Sequence, residues 1–366
     1  METIAITGVT GFIGSQMLVE LACTRPNVKF VLPIRAPHRA DAIRRYVELV
    51  QHFAKYSEVC ARALRDVQPV IMTYEEFLTG QWQNVQNPEW VIHCAADTEF
   101  SSSLTVAREH NLYATTDLVW ALRKHAPRTK FVYVSTAFVC GRSAGEVSEN
   151  SSSGRFHNAY EHSKYEGEAA IRSSGLSYVI VRPSIVVGRY DDGYTRHFRV
   201  FYSMFRMWLT GAIPRAPMDA RDAVDLIPVD VLCRRMAVLM KDENCLGSTR
   251  HIVAGKNLTK ARLILQTASE VFELSSAKFS PRWVLGLLSQ SWILRMLPHR
   301  LEEIIRGLKW HFPYLGSYRR VFVSRVMTPD DGEGDVKTKF ENFGRSIFRY
   351  CLQTRWGKRP IAKVET

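Results

Sequence analysis

The stretch TGVTGFIGS, Thr7 to Ser15, joins an apolar run, TIAIT (Thr3–Thr7), to an amphipathic one, SQMLVELACT (Ser15–Thr24). The first reads as a buried strand and the second as a helix. Three glycines lie at and after the junction. Gly8 permits a tight turn, Gly11 lets the backbone approach a pyrophosphate, and Gly14 lets the helix pack close to the sheet. The start of that helix offers free N–H groups and a positive dipole end, which suits an anion. With Thr10, Phe12 and Ile13 between the glycines, the stretch reads as a dinucleotide cradle. The plainer alternative is a turn after a first strand.

The pattern continues outward as alternating strands and helices. KFVLPIR (Lys29–Arg35), QPVIM (Gln68–Met72), EWVIHCAA (Glu89–Ala96), KFVYVSTAFVCG (Lys130–Gly141) and LSYVIVRPSIVVG (Leu176–Gly188) read as strands two to six. Helical stretches separate them at His38–Asp66, Val106–Ala126 and Asn158–Gly175. Nearly continuous apolar strands imply burial on both faces. The spacing predicts an α/β fold, a Rossmann doubly wound parallel sheet with a smaller, mainly helical C-terminal substrate-binding part. We divide the chain into residues 1–188 (nucleotide-binding, carrying the catalytic residues), 189–274 (a substrate part interleaved with that core) and 275–366 (a basic, aromatic-rich extension). SENSSSGRFHN (Ser148–Asn158) reads as a polar loop rather than a boundary.

The end of the second strand bears on the choice of dinucleotide. An acid there would take a ribose 2′-hydroxyl. The chain has Arg35 instead, with Arg39 close behind, and a guanidinium suits a 2′-phosphate. NADP(H) is therefore favoured over NAD(H), unless Arg35 is only a solvated strand-end residue. Tyr160 and Lys164 form YEHSK. A helix puts i and i+4 on one face, and an ammonium beside a phenol lowers its pKa, which suits proton exchange near neutrality. Upstream, Ser135 and Thr136 end the fifth strand, where a hydroxyl can hold a substrate oxygen as charge develops.

The 366 residues carry 49 Lys+Arg against 36 Asp+Glu. The imbalance is uneven: 20 against 18 up to Arg189, and 29 against 18 beyond it. The basic half points to an anionic partner, such as an acyl carrier protein, an anionic substrate or a membrane surface contacted peripherally, or else to a solvated basic face. Aromatic and basic residues interleave in Phe198–Gly211 and Trp283–Arg319. They suit an acyl chain with an anionic handle, or else divide into core rings and surface charges. Nothing further favours nucleic acid. Seven scattered cysteines without a CxxC spacing argue against a zinc site or a disulfide framework and fit a reducing, cytoplasmic setting. The first strand begins within a few residues of Met1, which leaves no signal peptide to be expected. WVLGLLSQSWILRML (Trp283–Leu297) is too short and too polar to span a bilayer, though it could lie on one.

Taken together, TGVTGFIG, VIHCAAD, FVYVSTAFVCG, YEHSK and RPSIVVG resemble the extended short-chain dehydrogenase/reductase superfamily, of the NAD-dependent epimerase/dehydratase type. They cover about half the chain in the family's order. The long helical stretch with IRRYVELVQHF, and the run AADTEFSSS, resemble its thioester reductase and fatty acyl-CoA reductase branch. The resemblance implies Tyr160 as acid/base, and Lys164 as the group that lowers its pKa and holds the nicotinamide ribose. It implies Thr136 as the catalytic hydroxyl, with Ser135 as the nearby alternative. Asn111 matches the family's helix Asn, or is a packing amide. Cys94, Ala95 and Ala96 match the small residues lining the cofactor, and Pro183, Ser184 and Ile185 the segment closing over the nicotinamide. VDLIPVDVL (Val224–Leu232) matches the meeting of substrate part and sheet, or is plain core. One departure stands out: IMTYEEF replaces the Gly-Asp that usually follows the third strand. The implied activity is NADPH-dependent reduction of an acyl thioester or other lipid-like carbonyl. The alternatives are a ketone or secondary alcohol dehydrogenase, a sugar-nucleotide epimerase or dehydratase, and a non-catalytic cofactor sensor. No metal is implied.

Overall fold

Seven strands form one parallel sheet. They are β1 (Glu2–Thr7), β2 (Val28–Ile34), β3 (Val70–Thr73), β4 (Trp90–His93), β5 (Lys130–Val134), β6 (Ser177–Pro183) and β7 (Ser248–Ile252). Their order across the sheet is β7-β6-β5-β4-β1-β2-β3. The computed structural model describes residues 2–25, 27–84, 87–199, 201–211, 213, 215–216, 218–274, 278–279, 299, 302–303, 309–314, 320–323 and 338–358.

Helices cover both faces. On one side α1 (Phe12–Thr24) and α2 (Arg39–Tyr56) bury Met17, Leu18, Leu49 and Phe53 against Ile4, Ile6 and Leu32. On the other, α3 (Ala114–His125) and α4 (Ala159–Arg172) bury Leu118, Leu122 and Ile171 against Phe131, Tyr133 and Ile180. A sheet buried on both faces needs apolar residues at successive positions, which is why Ile4 to Ile6 are all fully buried. The order reverses between β1 and β4, so their carboxyl ends diverge into a crevice, the usual ligand position of such sheets. Register places Thr7 beside His93, so the glycine turn and the Cys94–Ala96 segment leave the sheet side by side.

A second core lies beside this sheet. α5 (Phe201–Leu209), α6 (Val229–Leu239), α7 (Ala261–Val271) and α8 (Phe340–Gln353) belong to the part after Gly188. α6 packs on α1, whereas α7 and α8 pack on each other. Phe201, Tyr202, Phe205 and Trp208 are buried there with Phe340, Phe343 and Phe348. The rings of Phe198–Gly211 are thus largely core, the second of the two readings given above. Most of Trp283–Arg319, including the apolar run Trp283–Leu297, lies outside the described residues. Among the described residues, no helix is long and apolar enough to cross a membrane.

The structure refines several boundaries. β7, sequence STRHI, is an additional strand whose polar residues hide it from pattern reading. The helical stretch after β2 breaks at Ser57, where extended backbone (φ −155°, ψ 102°) separates α2 from a short helix at Glu58–Ala63. The long sixth strand divides at Ser184. Ile185–Val187 leaves the sheet and pairs in parallel with Leu226–Pro228.

Candidate active site and cofactor cavity

The glycine loop is built by contacts that only glycine allows. Gly8 has φ +69°, and a Cβ there would stand 2.5 Å from the Ala95 amide nitrogen. A Cβ on Gly14 would meet the Gly8 carbonyl oxygen at 2.4 Å. The turn closes through Gly11 N donating to Gly8 O at 2.8 Å. Gly11 then caps α1 without any side-chain hydrogen bond to the helix, which leaves the first N–H groups for a ligand.

A cavity of about 700 Å³ opens over this loop. Gly8, Thr10, Gly11, Arg35, Cys94, Ala95 and Ala96 all line it. Its volume falls within the range of small-molecule sites. Phe12, Ile13 and Gly14 lie in the first turn of α1. Tyr160, Lys164 and Pro183–Ile185 are not on the lining. Arg39 turns away, donating to the Ile71 carbonyl (3.1 Å) and pairing with Glu76 (3.8 Å). Arg45, which sequence reasoning passed over, reaches the loop instead and donates to Thr10 Oγ1 at 3.3 Å. It lies ten positions beyond Arg35, nearly two turns into α2. At the departure after β3, Thr73 and Glu76 form a reciprocal capping box, and Tyr74 contributes to the cavity wall. The open glycine cradle, the uncapped helix start and the basic rim together fit a dinucleotide.

Behind the loop runs a buried chain of polar groups. Thr115 donates to the Asn111 carbonyl (2.7 Å), so its oxygen accepts from His93 Nε2 (3.0 Å). His93 Nδ1 then accepts from Thr7 Oγ1 (2.6 Å). Burial, reinforced by Lys164, pushes the imidazole down to about 3, so it stays neutral. Asn111 sits in a π-helical turn, Glu109–Tyr113, ahead of α3. Its side chain accepts from Asp97 N (2.7 Å) and donates to Asp97 O and Ser163 Oγ (both 3.0 Å). It therefore ties the segment after β4 to α4, which carries Tyr160.

α4 starts at Asn158, whose side chain accepts from Glu161 N. Thr136 lies at the end of β5, where its hydroxyl accepts from Phe138 N at 3.3 Å. Thr136 acts on the Tyr160 phenol. Burial drives the Tyr160 phenol above its ordinary value; Thr136 opposes this, and Glu161 and Asp97 add to it. Lys164 lies one helical turn after Tyr160 on α4. It is fully buried, with its ammonium 3.9 Å from the centre of the Tyr133 ring. Burial lowers it to about 7 against the opposing pull of Glu168 and Cys94.

Ser135 is committed elsewhere. Its hydroxyl donates to Glu168 Oε1 at 2.6 Å. The same carboxylate takes a two-pronged pair from Arg182 (2.7 and 2.6 Å) and a bond from Arg172 (2.7 Å). Burial alone would raise Glu168, but these partners hold it below the usual value. Past β6, Ser184 is buried and Ile185 N donates to Asp225 O at 3.3 Å. Asp225 in turn accepts from Ala254 N and Gly255 N (2.8 and 3.1 Å). Leu226 to Val229 are buried, so VDLIPVDVL is both the junction of the two parts and core.

Against this geometry stand the known proteins. The NAD_binding_4 family model, described as male sterility protein, matches residues 6–236. The chain belongs to that family. Its fold is the extended short-chain dehydrogenase/reductase fold. It is 24% identical over 322 residues to a putative fatty acyl-CoA reductase of Drosophila melanogaster, covering 76% of this chain and 57% of that protein. It is 25% identical over 271 residues to fatty acyl-CoA reductase 1 of Xenopus laevis, covering 63% and 53%. The chain thus spans about half the length of these curated relatives. In fold it is similar to the terminal R domain of the myxalamid PKS-NRPS pathway: TM-score 0.73, 19% identity, covering 98% of this chain and 92% of that one. The UDP-glucuronic acid 4-epimerase of Bacillus cereus, solved with NAD, has TM-score 0.61 and 19% identity, covering 96% and 99%.

Proposed function

We propose that this chain is an NADPH-dependent oxidoreductase that reduces an acyl thioester or another lipid-like carbonyl compound. The observation that carries the reading is the glycine cradle in the crevice of this fold, with Thr136 acting on the Tyr160 phenol just past β5. When bound, the nicotinamide supplies the hydride.

The chain's own residues supply the rest. Gly8, Gly11 and the open start of α1 receive the pyrophosphate, and Arg35 faces the 2′-phosphate. Thr136 holds the substrate oxygen, and Tyr160 gives it a proton as charge develops. A phenol kept above its ordinary pKa by burial is protonated at neutral pH, the state a proton donor needs. Ser135, held by Glu168, is the less suitable hydroxyl of the two. Lys164 would hold the nicotinamide ribose once the cofactor is bound. Asn111 is a positioning residue that links the Asp97 segment to α4. Pro183–Ile185 would close over the nicotinamide. The basic half after Gly188 suits an anionic handle on the substrate, such as coenzyme A or the phosphopantetheine of an acidic carrier protein.

The test is consumption of NADPH, with NADH in parallel, on adding a long-chain acyl-CoA. The reading expects thioester-dependent NADPH loss with a clear preference over NADH. A chain that binds dinucleotide yet recycles it without net oxidation on any thioester or ketone contradicts the reading, because that is epimerase behaviour.

A further inference from the structure

The cofactor cavity has a second wall that the family motifs do not describe. After Val187 the chain passes the cavity, and Arg196, His197 and Arg199 of the run 189–199 line it. Three contacts fix this path. Ser57 Oγ donates to Asp192 at 3.0 Å, Arg189 donates to Gln16 Oε1 at 3.0 Å, and Tyr194 packs against His52 and Phe53. The anchored run brings Arg196 onto the lining that also holds Thr10 and Arg45. Arg45 is braced there by Thr10 and by the Arg35 carbonyl.

Arg196 differs from an ordinary surface arginine. Its Nη1 is buried and has no hydrogen-bond partner among the described residues. Burial lowers its pKa and the neighbouring Arg45 charge lowers it further, with Tyr194 and Glu48 opposing. A buried donor without an acceptor is costly, and two guanidiniums facing one cavity repel. A phosphate between them removes both penalties, since guanidinium and phosphate match in charge and hydrogen-bond geometry.

We propose that Arg196 and Arg45 form a phosphate-binding site above the tip of the glycine loop, in which the substrate side of the chain grips an anion held by the nucleotide side. The inference rests on the cofactor reading above and deepens it. The ligand is a phosphate group with two sources: the dinucleotide, through its pyrophosphate or 2′-phosphate, or the nucleotide end of coenzyme A. Because Arg196 belongs to the segment leading into the substrate part, filling the site links cofactor binding to the placement of that part.

The test is calorimetric titration of NADPH, NADH, coenzyme A and inorganic pyrophosphate, each alone, into the wild type and into Arg196→Ala, Arg196→Lys and Arg262→Ala. Arg262 is an exposed residue of α7 and serves as a charge control. Losing a charge-assisted bond predicts a roughly tenfold to hundredfold rise in Kd for Arg196→Ala, partial recovery in Arg196→Lys, and no change in Arg262→Ala. Loss for NADPH but not NADH assigns the 2′-phosphate, and loss for both dinucleotides and for pyrophosphate assigns the pyrophosphate. Loss confined to coenzyme A assigns the thioester carrier. All three outcomes support a phosphate site. Unchanged Kd for every ligand in a folded Arg196→Ala overturns it, and if that variant does not fold, unchanged Kd in Arg196→Lys together with insensitivity to pyrophosphate does so. A wild type that binds neither dinucleotide sinks the cofactor reading instead, while the pyrophosphate arm still tests Arg196.

Discussion

Gly8 and Gly145 both have positive φ, +69° and +75°, yet they differ in what surrounds them. A Cβ at Gly145 meets nothing within 4 Å, whereas one at Gly8 runs into the backbone of Cys94 and Ala95. Gly145→Ala therefore carries only the left-handed strain, about 1–2 kcal/mol. Gly8→Ala adds a collision with a sheet strand's exit that cannot shift cheaply. We expect Gly8→Ala to lower Tm clearly more than Gly145→Ala and to abolish dinucleotide binding, as read by thermal melts and NADPH fluorescence. Equal effects in both would contradict the cradle. At this scale the sequence was informative where chemistry depends on spacing. The glycines, the Cys94–Ala96 run and the Thr136–Tyr160 pair could each be read from their neighbours in the chain. Arg45, Arg196 and His93 could not, because Thr10 and Thr7, which Arg45 and His93 meet, lie 35 and 86 positions away, and Arg196 Nη1 has no hydrogen-bond partner among the described residues. The contact of Lys164 with Tyr133 was hidden for a related reason. Spacing puts two residues on one helix face, but burial decides which ring the ammonium meets.

α4 and the short segment Lys309–Tyr314 meet at Glu161. Its carboxylate accepts from His157 N (2.8 Å) and from the Tyr314 hydroxyl (2.6 Å), which itself accepts from Asn158 (2.7 Å). Burial raises Glu161 to about 7 despite these bonds and the nearby arginines Arg320 and Arg142. Between its ordinary value and about 7 the folded chain holds a proton that the unfolded chain releases. This group's contribution therefore falls as pH rises through that window. Glu161→Gln should flatten that fall: the wild-type urea midpoint should drop relative to the variant's between pH 4.5 and 7.5. Parallel profiles for the two would contradict a buried, proton-holding carboxyl. Tyr314 also stacks on Phe100 (4.7 Å), whose ring lies 5.7 Å from that of Tyr160. An element more than 150 positions downstream thus braces the start of α4, a pairing no local pattern reveals. Elements were legible where strands were long and apolar. β7 was missed because its polar residues are buried by neighbours rather than by their own hydrophobicity; His251 N, for example, donates to Glu149 (3.3 Å).

Across the whole molecule, the division at Gly188 marks a change in pattern rather than a break in packing. Ile185–Val187 pairs with Leu226–Pro228, α6 packs on α1, and Arg25 reaches the Ala237 carbonyl. α8 fills the second core with Phe340, Phe343, Ile347 and Phe348. A cut after Leu274 would remove these rings, so carrier or membrane docking is better probed by charge substitutions than by truncation. The basic excess after Arg189 is real in the sequence, but its nearest structural expression is the cavity rim at Arg196 and Arg199. The account as a whole turns on one proton donor. The most direct measurement is a single-turnover experiment on Tyr160→Phe with NADPH and a long-chain acyl-CoA, alongside the variant's Kd for NADPH. The account predicts that NADPH binds with an affinity within a few-fold of the wild type and is not oxidised. Oxidation at the wild-type rate in that variant would contradict it.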